Sequence, residues 1–445
     1  MPLRLPHGPH SLSRAQVAES QQRRILDAMV EAVGENGYAQ TPVAAVIARA
    51  AVSRKAFYEH FPNKDACFAR AAEELTAEVI AHLGATAADG VGASGAEAPI
   101  DALFKRALAH PAAVRLVLAE LAALRPEGIA RREQVTAAGE ELVHDLVGLS
   151  CTGDAAGLLM RATIGGIGQV LYSRACHRRS TRSTLVAGLL SWMTSYHPIP
   201  ESVLALDVLA GADKRRVPPG GRAPGTLAPA PRAGRRSSLR GDRTVSPSLV
   251  VHSQRERILD AVAILSAAEG YMAVTINGIV VQAAVSADTF YSHFTSKEDA
   301  FLVGYEVGHT RGLAFAESAC EAAPDWPAGV RAGIAAVLDF LASEPAFAHL
   351  ALVDAQVAAP HTAARVRRSL DTYARMLATG VERAPHPTTP LTTEAVIGGL
   401  FELCLGYVMR GRAHELGSLV PLATYFALAP AIGVEAAAVV ATEPD

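Results

Sequence analysis

Two short stretches of this chain bring together side chains that could grip a nucleic acid. The first runs Ser53-Arg54-Lys55-Ala56-Phe57-Tyr58-Glu59-His60-Phe61, with Pro62 behind it and Lys64 two residues further on. A guanidinium can donate two parallel hydrogen bonds to guanine, which discriminates among bases. Ammonium and hydroxyl groups reach phosphate oxygens, which position a protein without reading sequence. The second stretch runs Ser286-Ala287-Asp288-Thr289-Phe290-Tyr291-Ser292-His293-Phe294, with Lys297 following. Signals for other chemistry are missing. The chain has no GxSxG, no HExxH and no glycine-rich phosphate loop ahead of a helix. Its five cysteines show no CxxC spacing, and the Cys176-His177 pair has no further ligand nearby. No catalytic residue, metal or cofactor is expected.

The flanking residues predict the elements that hold the first stretch. Ile25, Leu26, Met29 and Val33 recur at helical spacing, which predicts an amphipathic helix over Ala18–Asn36. Gly37 can take the left-handed conformation that ends it. Thr41 is placed to cap a second, short helix with Pro42 in its first turn, and Val43, Val46 and Ile47 form its buried face. Ala50-Ala51-Val52 makes a turn. Ser53 caps the next helix, Arg54–Phe61, which Pro62 stops. On it, Val52 and Phe57 face inward, while Arg54, Lys55, Ala56 and Glu59 face outward. A helix, a tight turn and a short basic helix describe a helix-turn-helix, whose second helix suits the major groove.

The same pattern occurs twice. Residues 24–68 align without gaps on 257–301, with seventeen of 45 positions identical. Weaker likeness continues from Pro111…Glu120 to Pro345…Asp354, and from Ile164-Gly-Gly-Ile167 to Ile397-Gly-Gly-Leu400. Each half is thus a unit of roughly two hundred residues, on the scale of whole domains. Between them, Ala210–Pro247 is rich in Pro, Gly, Ser and Arg, with nine Lys or Arg against two Asp. It reads as a basic linker, either a solvated tether or an arm that touches DNA.

The paired Gly-Tyr, Ala-x-Val-Ser and Phe-Tyr-x-His-Phe segments, each with a lysine three residues later, resemble the DNA-binding domain of the TetR family of bacterial regulators. Glu402–Gly433 resembles that family's C-terminal part more loosely. The resemblance implies an all-α chain of two consecutive units, each a three-helix helix-turn-helix domain followed by a helical bundle that binds ligands and dimerises. The expected bounds are 15–65 and 66–205, a linker at 206–250, then 251–299 and 300–436. It also implies phosphate contacts from Tyr58 and Lys64, with Thr41, Ser53 and His60 adding backbone contacts. Arg54, Lys55 and Ala56 would face bases. In the second unit the matching positions are Ser286, Thr289, Tyr291, His293 and Lys297. Two positions depart from the family pattern: Ala51 and Ala284 stand where glycine is usual, and Ile47 and Val280 where alanine is usual.

The two readers are not equivalent. Residues 1–65 carry eight Lys or Arg and six Asp or Glu, whereas residues 248–299 carry three and six. Ala287 and Asp288 replace Arg54 and Lys55, and a carboxylate facing a polyanion is unfavourable. The first reader is therefore expected to be the stronger. In the bundles, Glu120, Tyr172, Asp354, Phe401 and Tyr407 are candidate pocket residues for an unknown small-molecule effector. Gly165-Gly166 and Gly398-Gly399 allow close helix approach, so their helices, with Leu185–Tyr196 and Leu416–Leu428, are the expected pairing elements. The pairing is either an intramolecular pseudo-dimer or a homodimer of whole chains. Leu419–Val434 is too short and too proline-broken to span a bilayer, so no membrane partner is expected. The partner expected is a double-stranded DNA operator, bound in the cytoplasm by a regulator, with repression implied by the resemblance. The alternative is a ligand-binding or interaction module that has lost DNA binding.

Overall fold

Alanine and the straight-chain residues that favour helix dominate the sequence, and every regular element among the described residues is helical. The computed structural model describes residues 13–88, 97–147, 153–176, 182–206, 247–358, 360–386 and 388–443. Most of the basic linker lies outside these. The first half comprises α1 (Arg14–Asn36), α2 (Val43–Ala50), α3 (Arg54–His60), α4 (Lys64–Ala88), α5 (Glu97–Ala109), α6 (Pro111–Leu118), α7 (Glu127–Val147), α8 (Asp154–Cys176), α9 (Arg182–Thr194) and α10 (Glu201–Leu204). The second comprises α11 (Pro247–Glu269), α12 (Ile276–Ala283), α13 (Ala287–His293), α14 (Lys297–Ala322), α15 (Trp326–Ser343), α16 (Pro345–Leu352), α17 (Pro360–Ala378), α18 (Pro390–Met409), α19 (Val420–Ile432) and α20 (Val434–Thr442).

Helix α1 starts four residues before the expected Ala18. Ser13 and Gln16 form a reciprocal capping box that holds the extra turn. Its buried face is the expected one, Ile25, Leu26, Met29 and Val33, and Gly37 ends it at φ +78°. The cap of α2 is a correction. Pro42 occupies the cap position, and Thr41 turns inward to donate to the carbonyls of Ala32 and Gly37 at 3.2 and 2.8 Å. Ala51 and Ala284 both sit in the left-handed region at φ +51°.

The two halves meet along α8 and α18. A Cβ on Gly165 would lie 2.3 Å from the Glu402 Cβ, and one on Gly398 would lie 2.3 Å from the Gln169 Cβ. A Cβ on Gly166 would lie 2.5 Å from the Ala395 carbonyl, and one on Gly399 2.5 Å from the Ala162 carbonyl. Each contact maps onto its reciprocal when Gly165 is exchanged for Gly398, Glu402 for Gln169, Gly166 for Gly399 and Ala395 for Ala162, the same offset that relates the repeated heads, so the pair is close to two-fold symmetric. Only glycine permits this backbone approach.

Aromatic residues just after α9 and in α19 flank the seam. Tyr196 stacks on Phe426 at 5.0 Å, its hydroxyl donates to the Phe426 carbonyl, and the Tyr425 hydroxyl donates to the Tyr196 carbonyl, each at 3.0 Å. Arg174 reaches Glu394 at 2.9 Å, and Arg410 reaches Glu133 at 2.8 Å, both across the halves. Helix α18 and the stretch Ala413–Ile432 are long and apolar enough to cross a membrane, yet about four-fifths of each is buried inside the protein. They are apolar all round because they are core helices.

Candidate nucleic-acid interface

Helix α3 is short because its ends are fixed by sequence. Ser53 is extended and its Oγ accepts the Ala56 N–H at 3.0 Å. Phe57 is fully buried and anchors the helix in the head's core with Ile25, Met29 and Val46. Arg54 and Lys55 are left on the solvent side. The Arg54 guanidinium lies 5.8 Å from the Tyr58 ring, and Lys55 makes only a loose 3.7 Å pair with Glu59, its side chain 85% exposed. Tyr58 is exposed, whereas His60 is half-buried beside Gln21, with Nε2 3.5 Å from its Oε1.

Ala56 is a second correction. It is buried, because the third residue of so short a helix already turns under the capping serine. Thr41, also buried, has its hydroxyl occupied by two carbonyls and its N–H by the Tyr38 carbonyl, so it presents no group to DNA, contrary to expectation. Lys64 is half withdrawn: its ammonium donates to the Tyr38 carbonyl at 3.1 Å and lies 4.0 Å from the Tyr38 ring. Burial there lowers its pKa below the usual lysine range.

The second head repeats this frame with different chemistry. Ser286 caps α13, accepting the Thr289 N–H at 3.1 Å, and its hydroxyl pairs with that of Thr289 at 2.9 Å. Phe290 is the buried anchor, Tyr291 is exposed, and His293 is half-buried. Ala287 and Asp288 stand exposed where the first head has its arginine and lysine. Lys297 donates to the carbonyls of Tyr271 and Val274 at 3.0 and 2.8 Å, and burial lowers its pKa as it does for Lys64.

Two carboxylates tie these heads to the bundles. Glu120, buried just after α6, accepts the Tyr38 N–H at 3.0 Å and pairs with Arg115 at 3.3 Å. Burial raises its pKa, opposed by the Tyr38 N–H and by Arg115. Asp354, equally buried, accepts the Tyr271 N–H at 3.2 Å and faces His349 Nδ1 at 2.9 Å. It also accepts from Arg125 of the first half at 2.7 Å. This places both acids at the turn that ends the first helix of each head, and neither lines the two cavities described next. Their recurrence at matching positions in the two halves was the available signal.

Tyr172 and Phe401 do line a cavity of about 1040 Å³ in the first half, whose wall includes α17 and α18 of the second. A second cavity of about 390 Å³ lies in the second bundle, and Phe401 reaches it too. Tyr407 lines neither. It is buried with the Arg412 guanidinium 4.8 Å from its ring. No group of His, Cys, Asp and Glu that could hold a metal occurs among the described residues.

Residues 25–71 and 258–302 each match the family described as "Bacterial regulatory proteins, tetR family". The chain carries the tetR-family DNA-binding head twice, in tandem. Each match covers the α1–α3 or α11–α13 head and the start of the helix after it. No curated protein matches the chain. Among solved structures, the fatty acid degradation regulator FadR from Bacillus halodurans is similar at 20% identity. That alignment covers 42% of this chain and 97% of the other, with a TM-score of 0.37. These matches make the chain a DNA-binding transcriptional regulator of the tetR kind.

Proposed function

We propose that this tetR-family chain is a cytoplasmic repressor that works as an intramolecular pair, one polypeptide supplying both readers for one operator. The carrying observation is the reciprocal α8–α18 packing, which joins the two bundles within the chain. Fusion makes the second binding event intramolecular, at high effective concentration. Each head would fill a half-site about one helical turn (~34–36 Å) from the other. The proposed units are 15–65 and 66–205, then 251–299 and 300–436, joined by the linker at 206–250.

In this reading Arg54 and Lys55 face bases. Tyr58 and the outer face of Lys64 hold phosphates, helped by Ser53 and His60. Ser286, Thr289, Tyr291, His293 and Lys297 clamp the backbone, and Asp288 weakens the second reader. The operator is accordingly non-palindromic. A small molecule in a bundle cavity relieves repression by favouring a different separation of the heads, to the extent of its differential affinity for the two states.

Selection of bound sequences from random duplexes tests this, followed by titration at several salt concentrations. The expected result is one strongly specified half-site and one weak one, with affinity falling steeply as salt rises through counterion release. Arg54→Ala with Lys55→Ala should cost far more than Thr289→Ala. Equal losses, or two identical half-sites, would count against the asymmetric pair.

A further inference from the structure

The two bundle cavities have diverged in chemistry. The first is lined by several charged side chains, among them Arg23, Arg106, Arg367 and Glu74. The second lies among α14, α15, α16, α17, α18 and α19 and presents mainly Leu, Val, Phe and Ile. No lysine or arginine is among its described lining residues, and Glu321, at its rim, is solvent-exposed. Its polar groups are satisfied or neutral. The Tyr305 hydroxyl donates to Ser369 Oγ at 2.9 Å. The His309 ring lies 6.2 Å from Tyr305 and 5.6 Å from Tyr373, in aromatic contact with both.

We propose that the second cavity takes an uncharged, predominantly apolar small molecule, a ligand class that the first cavity does not share. An ionised ligand there would lose its hydration and find no counter-ion, which buried charges do not tolerate. The volume of about 390 Å³ lies within the range of small-molecule sites. Burial lowers the pKa of His309 and raises those of Tyr305, Tyr373 and Cys320, so the wall offers no charge near neutral pH. Val366, Leu370 and Phe401 line both cavities, so an occupant of one touches the wall of the other. The inference rests on the regulator reading for its biological meaning, although binding itself needs no DNA.

Two aryl amines that differ by a sulfonate test it on the full chain without DNA. N-phenyl-1-naphthylamine is neutral, and 8-anilino-1-naphthalenesulfonate is anionic. Saturable fluorescence enhancement is expected for the neutral probe, with an affinity at least tenfold above that of the sulfonate. Val337→Trp, which fills the second cavity, should weaken the neutral probe at least tenfold, whereas Val135→Trp in the first cavity should leave it unchanged. Should Val337→Trp lose its far-ultraviolet helical signal, Ile334→Trp carries the same prediction. Equal affinity for the two probes, no saturable binding, or a larger effect from Val135→Trp would overturn the inference. A chain that binds duplex but not the neutral probe sinks this inference alone. One that binds the probe but no duplex sinks the regulator reading alone.

Discussion

Arg125→Ala should loosen the second reader head and leave the first untouched. Asp354 is almost fully buried and has three partners: the Tyr271 N–H, His349, and Arg125 from the other half. A hydrogen bond to a charged group contributes about 1.5–3 kcal/mol. The Arg125 side chain is 23% exposed, so the lower half of that range applies. With tenfold per ~1.4 kcal/mol, local opening around Tyr271 should become roughly ten- to fortyfold more frequent. The assay is amide hydrogen exchange, comparing peptides that span Tyr271 with those that span Tyr38. Tyr38 is held by Glu120 and Arg115, which Arg125 does not touch. Protection should fall at Tyr271 only. As a control, Arg70→Ala removes surface pairs with Glu73 and Glu74, which solvent screens, and should change neither peptide. Unchanged protection at Tyr271, or equal loss at both turns, would refute the reasoning that Asp354 is a cross-half tie.

Other outcomes follow from the same structure. Ala51→Gly should stabilise the protein by roughly 0.5–1 kcal/mol in chemical denaturation, because left-handed alanine costs ~1–2 kcal/mol and the added freedom of unfolded glycine offsets part of the gain. Asp260 is pushed up to about 7, first by burial and then by Glu344 and Glu256, with Arg311 opposing. Its folded form holds a proton longer than its unfolded form, so its penalty on stability grows as pH rises from about 4 to 7 and is constant above. Asp260→Asn should therefore raise the denaturation midpoint most at pH 8 and least near pH 4. Gly166→Leu should lower the free energy of unfolding by at least the ~1–3 kcal/mol typical of overpacking, read by chemical denaturation, since its side chain would meet Trp192 and the Ala395 carbonyl.

Much of this was readable before any coordinates. The head helices follow from local rules: apolar spacing on α1, a serine cap on α3, a proline that stops it. The glycine pairs announced the α8–α18 seam because close backbone approach has a sequence signature. What failed depended on distant partners. The Tyr38 N–H lies 82 residues from Glu120, and the Tyr271 N–H 83 from Asp354. No local pattern shows that a carboxylate will meet a backbone amide that far away, so both acids read as pocket residues. Thr41 failed for a smaller reason. The rotation of one residue before a helix decides whether its hydroxyl caps or turns inward, and two inward carbonyls decided it. Ala56 was misplaced because outward and inward faces on a seven-residue helix differ by a single position.

Sedimentation of the protein on a selected duplex tests the central claim most directly. Predicted is a complex of one 46.5 kDa chain per duplex, with both heads protecting adjacent turns of the groove. Complexes that form only with two chains, or protection confined to a single head-width, would contradict it.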